Sequence, residues 1–151
     1  MENQLILLVE DTADDVFFLR RALKKAQINN PFQVVVHGQE AIDYLAGNGK
    51  YSDRIKFPLP GVVLLDLKLP LVDGFEVLAW IRTQPLLSAL PVAILTSSSE
   101  KRDRQRALEL GAKAYLVKPP DEMMMRDLFH SLGQQQSAVT GANVPIAVLR
   151  A

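Results

Sequence analysis

The amino-acid sequence predicts an α/β fold in which helices cover both faces of a parallel β-sheet. Short apolar runs of strand length alternate with segments whose apolar residues recur at helical spacing. Several of these runs end in an acidic, hydroxyl or basic residue, as strands do when their carboxyl ends carry a functional site. Such alternation predicts a three-layer sandwich built on one parallel sheet.

Length and composition limit the classes of protein that the chain can be. Its 151 residues suit one domain with one hydrophobic core. Seventeen basic and 17 acidic residues leave no net charge, so no overall field favours nucleic acid or an anionic membrane. Because cysteine is absent, disulfides, thiolate metal sites and a cysteine nucleophile are excluded. With no leader-like N-terminus and no apolar segment of membrane length, we expect a cytoplasmic protein.

The first part of the chain predicts two strands and two helices. Residues 5–9 form an apolar run of strand length. A helix begins near Asp14, and we interpret Asp14 and Asp15 as helix-start residues rather than direct ligands, because the helix dipole favours acids there. An Asn-Asn-Pro sequence ends this helix. Residues 32–36 then predict a strand, and residues 39–46 predict a short helix.

The segment of residues 47–60 is long for a connection between packed elements. It has no clear period and carries two glycines and two prolines. We expect an insertion that is either functional or mobile. Lys50, Arg54 and Lys56 predict a solvated basic face, with partner binding as the alternative.

The third strand is the most apolar stretch of the sequence. Residues 61–65 predict a fully buried strand that presents Asp66 at its carboxyl end. Asp73 is a suitable N-cap for a helix over residues 74–84, which a proline ends. Residues 91–95 predict the next buried strand.

The last predicted elements are a polar helix, a strand and an apolar helix. Ser97 and Glu100 have capping-box spacing and predict a helix that ends at Gly111, with few apolar anchors. Residues 113–117 predict the fifth strand, and residues 121–132 predict the final helix. We expect residues 1–133 to form the domain and residues 134–151 to form an appended tail, with no output domain.

Five strands and five helices in this order favour a flavodoxin-like sheet with strand order 2-1-3-4-5. In that order the carboxyl ends of the strands gather Glu10, Asp11, Asp66, Thr96 and Lys118 at one rim. Neighbouring carboxylates repel, so they raise each other's pKa or hold a cation. An oxygen-only set favours Mg²⁺ over zinc.

Chemically, this rim suits phosphoryl transfer. A bound metal and Lys118 would neutralise charge while a carboxylate attacks a phosphorus atom in line. The alternative is that each acid only caps a neighbouring helix. Five suitable residues on the predicted strand ends favour the functional interpretation.

At these residues the sequence resembles the receiver domains of two-component response regulators, over about residues 5–132. The motifs that carry the resemblance are Glu10-Asp11, Asp66-Leu67-Lys68-Leu69-Pro70, Asp73-Gly74, Thr96-Ser97 and Lys118-Pro119. The resemblance implies that Asp66 accepts a phosphoryl group from a phosphohistidine of a sensor histidine kinase. It implies Mg²⁺ ligands from Glu10, Asp11, Asp66 and the Lys68 backbone carbonyl. It implies that phosphoryl oxygens are held by Thr96, the Ser97 backbone N–H and Lys118.

The resemblance also implies a conformational switch. Thr96 would move toward the phosphoryl group while Tyr115 rotates inward, unless Tyr115 is an ordinary half-buried aromatic. The helix over residues 100–110 is a suitable two-state element because few apolar residues anchor it. The face of helix 4, strand 5 and helix 5 would form a homodimer or meet partners.

A narrower resemblance is to stand-alone receivers paired with phytochrome-type histidine kinases. The insertion at residues 47–60 and the missing output domain indicate it, although another kinase partner is the alternative. Lys68 lies beside Asp66, and we hypothesise that its side chain pairs with a phosphoryl oxygen or shields it from water.

Two other functions compete with the phosphoacceptor interpretation. A phosphohydrolase of the haloacid-dehalogenase type uses an aspartate nucleophile with a second aspartate two residues later, where this sequence has Lys68. A phosphorylation-independent scaffold would not require the five rim residues. We therefore expect a module that is not an enzyme beyond its own phosphorylation and dephosphorylation.

Overall fold

The predicted architecture is confirmed by a computed structural model, which describes residues 3–140, with side chains as far as Gln134. Its strands are parallel and lie in the order β2-β1-β3-β4-β5. The strands are β1 Ile6–Val9, β2 Phe32–Val35, β3 Val62–Leu65, β4 Val92–Thr96 and β5 Ala114–Val117. The helices are α1 Ala13–Lys25, α2 Gly38–Ala46, α3 Gly74–Thr83, α4 Lys101–Glu109 and α5 Glu122–Thr140.

The sheet divides the hydrophobic core into two layers. Strand side chains point alternately to opposite faces, so Leu7 and Val9 of β1 pack toward α2 and α3, while Ile6 and Leu8 pack toward α1 and α5. The residues of β1, β3 and β4 are all buried. These central strands are covered on both faces, which is why they are continuous apolar runs in the sequence.

Helix α5 is longer than the sequence pattern predicted. Its predicted end lay at Leu132, but the helix continues to Thr140, through residues expected to start a tail. The remaining residues of that predicted tail, 141–151, lie outside the described residues. Between residues 3 and 140, no helix has the length and apolar character needed to cross a membrane.

The segment of residues 47–60 is packed against α2. A 3₁₀ turn at Gly49–Ser52 brings Tyr51 into the core, where its ring centroid lies 4.9 Å from that of Tyr44 and 5.0 Å from that of Phe57. Aromatic rings at such separations attract each other beyond the effect of area burial. An aromatic cluster therefore fastens the insertion to the domain.

Arg54 departs from the predicted solvated basic face, because its guanidinium contacts the backbone of the domain. Its guanidinium donates hydrogen bonds to the carbonyls of Tyr44 (2.8 Å), Leu45 (2.9 Å) and Phe57 (3.2 Å). Tyr44 and Leu45 lie in the last turn of α2, where carbonyls lack a partner within the helix, although the Tyr44 carbonyl also accepts from the Gly47 N–H just beyond it at 3.2 Å. Arg54 thus caps α2 and closes the insertion on itself, a contact that local sequence spacing does not reveal.

We expect Arg54→Ala to lower the free energy of unfolding by about 1–3 kcal/mol, because three carbonyls lose a charged donor. Urea denaturation measures the change. The matched control is Ile55→Ala, since Ile55 is 97% exposed, and it should alter the free energy by less than about 0.5 kcal/mol. Equal midpoints for the two variants would contradict the role assigned to Arg54.

Gly74 lets α3 begin directly against the end of β3. A Cβ atom at this position would lie 2.2 Å from the Asp66 carbonyl oxygen and 2.7 Å from the Leu67 Cα. Both are backbone atoms, so relief requires a shift of the main chain that carries Asp66. As predicted, the Asp73 side chain caps α3 by accepting from the Glu76 N–H at 2.9 Å.

We expect Gly74→Ala to destabilise the fold by about 1–3 kcal/mol through overpacking. The reference is Gly133→Ala in α5, where a Cβ atom would meet nothing within 4 Å and alanine should stabilise the helix by up to about 1 kcal/mol. Thermal unfolding of both variants gives the comparison. If both variants gained stability or both lost it, the close approach of Gly74 to the backbone would not be what determines the effect of the added Cβ atom.

Candidate functional site at the carboxyl edge of the sheet

The ends of β1, β3, β4 and β5 meet at one edge of the sheet. The Asp66 N–H donates to the Val9 carbonyl at 3.2 Å, which sets the end of β3 beside Glu10. The Lys118 N–H donates to the Thr96 carbonyl at 2.8 Å, which sets the end of β5 beside the end of β4. Backbone pairing therefore gathers Glu10, Asp66, Thr96 and Lys118.

The Lys118 ammonium contacts three carboxylates. Its Nζ atom lies 2.6 Å from Glu10 Oε1, 2.8 Å from Asp15 Oδ2 and 2.9 Å from Asp66 Oδ2. Burial by itself lowers the pKa of Lys118, but the hydrogen bonds to Asp15, Glu10 and Asp66 outweigh burial and raise it above its usual value. The ammonium is therefore firmly charged and is the counter-charge of this edge.

Glu10, Asp11 and Asp66 form a compact acidic group. Each offers a carboxylate oxygen, and these oxygens all lie within 4.8 Å of one another. Glu10 and Asp66 are buried, whereas Asp11 is exposed. Burial and then the charge of Asp66 raise the pKa of Glu10, although Lys118 acts in the opposite direction. Folding thus holds like charges together at this edge.

This donor set fits a hard divalent cation. Carboxylate oxygens suit Mg²⁺ or Mn²⁺ rather than softer metals, and three carboxylates exceed the single charge of Lys118. The Lys68 N–H lies 3.3 Å from Asp66 Oδ1, so the Lys68 backbone runs beside the group while its side chain is exposed. A ligand role for the Lys68 carbonyl stays a prediction.

Thr96 and Ser97 follow one another at the end of β4 in different surroundings. The Thr96 side chain is buried, and its hydroxyl oxygen accepts a hydrogen bond from the Ser98 N–H at 3.4 Å. Ser97 is exposed. Both residues lie at the predicted edge, and their contacts with phosphoryl oxygens stay predictions.

Ser98 is the residue at this edge that the sequence analysis missed. Its hydroxyl donates to Asp103 Oδ2 at 2.7 Å and accepts from the Glu100 N–H at 3.3 Å. The capping box predicted at Ser97 is therefore wrong: Ser98 supports the start of α4, which begins at Lys101. Residues 96–99 all carry a hydroxyl group, so the sequence pattern does not indicate which of them supports the start of the helix.

Tyr115 joins β5 to the same loop. Its side chain is buried, and its hydroxyl donates to the Ser98 carbonyl at 2.9 Å. The Arg104 guanidinium of α4 lies 5.1 Å from the ring centroid, within cation–π range. Tyr115 is thus more than a half-buried aromatic, and its part in a switch stays a prediction.

Asp15 has a contact beyond its predicted place in a helix start. It lies in the first turn of α1, as expected, yet its carboxylate also accepts from Lys118. The hydrogen bond from Lys118 lowers the pKa of Asp15, as does a hydrogen bond from the Thr12 hydroxyl. The sequence interpretation of Asp15 as a helix-start residue alone was therefore incomplete.

Comparisons with known proteins agree with this geometry. The family described as "Response regulator receiver domain" matches residues 6–130. Response regulator Rcp1 of Synechocystis sp. is 36% identical over 126 residues, which cover 83% of this chain and 82% of Rcp1. The similarity therefore extends over most of both chains.

Solved structures share the whole fold. The Mn²⁺-bound form of response regulator Rcp1 is 34% identical with a TM-score of 0.70, covering 94% of this chain and 99% of that one. The bacteriophytochrome response regulator AtBRR is 44% identical with a TM-score of 0.77, covering 88% and 94%. The phosphorylated cyanobacterial phytochrome response regulator RcpA is 31% identical with a TM-score of 0.71, covering 95% and 99%. The matched domain, the strand order and the acidic edge lead to one conclusion: the chain belongs to the family of response regulator receiver domains.

Proposed function

We propose that Asp66 is the phosphoacceptor of a stand-alone response regulator, and that a sensor histidine kinase supplies the phosphoryl group. The observation that carries this proposal is the contact of Lys118 with Asp66 and Glu10 inside a compact acidic group. The arrangement combines a nucleophilic carboxylate, a fixed ammonium and oxygen ligands for a cation. These are the parts that phosphoryl transfer requires.

In the proposed reaction, a carboxylate oxygen of Asp66 forms a bond to phosphorus. The phosphorus–nitrogen bond of the kinase phosphohistidine breaks, and its electron pair stays on the imidazole, which takes up a proton from solvent. Lys118 exchanges its bond to Asp66 Oδ2 for one to a phosphoryl oxygen. The Thr96 hydroxyl and the Ser97 N–H donate to the other oxygens.

Glu10, Asp11, Asp66 and the Lys68 carbonyl would hold the divalent cation, which we propose is Mg²⁺. When bound, the cation offsets the negative charge of the carboxylates and of the incoming phosphoryl oxygens. Support comes from the oxygen-only donor set of this chain and from the Mn²⁺-bound form of its relative Rcp1.

The effect of phosphorylation would reach the partner-binding face through α4. Thr96, Ser98 and Tyr115 are joined by hydrogen bonds, so a movement of Thr96 toward a phosphoryl oxygen changes the support of the α4 start. The face of α4, β5 and α5 would then switch its binding of a partner or a second copy. Such a switch operates by shifting a population between two states.

We infer that the cognate kinase is of the phytochrome type. Support comes from AtBRR and RcpA, which are described as phytochrome response regulators. We further propose that residues 1–133 form the receiver domain, with α5 continuing beyond it to Thr140. The protein would act in the cytoplasm, as a signalling module that catalyses only its own phosphorylation and dephosphorylation.

Intact mass after incubation with acetyl phosphate tests the phosphoacceptor assignment. We expect one phosphoryl adduct that requires Mg²⁺ and is absent from Asp66→Asn, because the nucleophilic oxygen is lost. Asp14→Asn is the matched control, since Asp14 is an exposed acid near the same edge, and it should be labelled like wild type.

If wild type takes up no phosphoryl group from acetyl phosphate or from a panel of histidine kinases, the scaffold alternative replaces this proposal. A panel that includes phytochrome-type kinases also tests the partner. The fastest transfer should come from a phytochrome-type kinase and should depend on light. Preferred transfer from another class would overturn the partner assignment alone.

Lys68→Asn should shorten the lifetime of the aspartyl phosphate about two- to fivefold. This is the change in rate that corresponds to the free energy of one exposed ion pair. The exposed ammonium would otherwise pair with a phosphoryl oxygen or shield it from water. Decay of the isolated phosphoprotein gives the rate, with Lys56→Asn as the control for loss of an exposed lysine. Indistinguishable decay of the Lys68 variant and wild type would remove this role.

A further inference from the structure

Carboxylates accept all the hydrogen bonds that the Lys118 ammonium can donate. An ammonium has three N–H donors, and Nζ contacts Glu10, Asp15 and Asp66 at 2.6–2.9 Å. Glu10 and Asp66 also belong to the group that could hold a cation, whereas Asp15 does not. A cation and the ammonium would therefore compete for oxygens of Glu10 and Asp66, but not for those of Asp15.

Asp15 and Thr12 have the spacing of a capping box but do not act as one. In such a box, the threonine side chain accepts from a backbone N–H of the first helical turn. Here the Thr12 hydroxyl lies 2.7 Å from Asp15 Oδ2 and 3.1 Å from Glu10 Oε2. Among the described residues, no side-chain bond from Thr12 caps α1, although such a bond is worth about 1 kcal/mol.

These side chains are instead directed at the carboxyl edge of the sheet. The Asp15 side chain is 36% exposed, compared with 3% for Glu10 and 9% for Asp66. An ammonium that moves toward Asp15 therefore moves to a better solvated position, where its charge costs less. Thr12 restricts the Asp15 carboxylate by a hydrogen bond, so this position is prepared before a cation binds.

We propose that Asp15 is a positioning residue for Lys118. Its carboxylate draws the ammonium off Glu10 and Asp66 when a divalent cation binds, and keeps it within reach of the phosphoryl oxygens. Without the charge of Asp15, the Lys118 ammonium stays bonded to Glu10 and Asp66 and competes with the cation for their oxygens. This inference rests on the proposed function and assigns a role that the five predicted edge residues do not fill.

Asp15→Asn is the informative variant, because it keeps the size of the side chain and an oxygen for Thr12 while it removes the charge. Calorimetry with Mn²⁺ alone should show a dissociation constant raised about tenfold, as expected for loss of one charge-assisted hydrogen bond. Phosphorylation of Asp66 by acetyl phosphate at saturating Mg²⁺ should slow by about tenfold. Asp14→Asn removes the same charge from the same helical turn and should leave both values near those of wild type.

A double-mutant cycle shows whether Asp15 acts through Lys118. In a Lys118→Met background, Asp15→Asn should change the Mn²⁺ dissociation constant less than about twofold, because no ammonium remains to be positioned. The same fold-change in both backgrounds would overturn the proposal, since Asp15 would then act on the cation directly. An unchanged constant in Asp15→Asn alone would overturn it as well, including when the variant is less stable to urea.

The Mn²⁺ measurements need no phosphodonor, so they separate this proposal from the proposed function. If wild type is not phosphorylated but the cycle shows coupling, the phosphoacceptor assignment fails and the positioning role stands. If wild type is phosphorylated and Asp15→Asn matches it in both measurements, only the positioning role fails. Wild type that binds no Mn²⁺ overturns the positioning role, while labelling with acetyl phosphate still decides the phosphoacceptor assignment.

Discussion

The contact of one partly buried ammonium with the carboxylates of Glu10 and Asp66 is the constraint on which the site depends. It joins the ends of β1, β3 and β5, and through Asp15 it also joins the start of α1. Buried ion pairs are costly to desolvate, and apolar replacements are often at least as stable. Stability therefore does not explain this cluster. The proposed binding of a cation and a phosphoryl group would explain it, because both need charges held in place before they arrive.

Helix α4 depends on polar contacts more than the other helices do. Ala107 is its buried residue, while its start is held by Ser98 through Asp103 and the Glu100 N–H. A helix with so little apolar anchoring has a small free-energy cost of displacement. Since the same serine bonds to Thr96 and Tyr115, the carboxyl edge of the sheet and this helix share one hydrogen-bonded connection. The proposed switch would act through this connection, because a movement of Thr96 would alter the support of the α4 start.

The order of elements and the location of the site followed from local pattern. Buried parallel strands are continuous apolar runs, and the residues that end them are polar only where the site lies. That is why Glu10, Asp66 and Lys118 were identified without a structure, and why their convergence needed only the strand order. Asp73 was identified for a similar reason, since N-caps bond within one turn of the chain.

The sequence by itself therefore determined the fold, the family and the chemical character of the edge. Tertiary structure decided which neighbouring residue performs each task. Asp15 meets Lys118 across 103 residues of chain, Tyr115 meets Ser98 across 17, and Arg54 reaches back to α2. Periodicity and capping rules describe contacts within a turn or along a strand. Hydrogen bonds between elements depend on how the elements pack, so a helix-start acid, one serine among several and a surface arginine acquired roles that only the packed chain reveals.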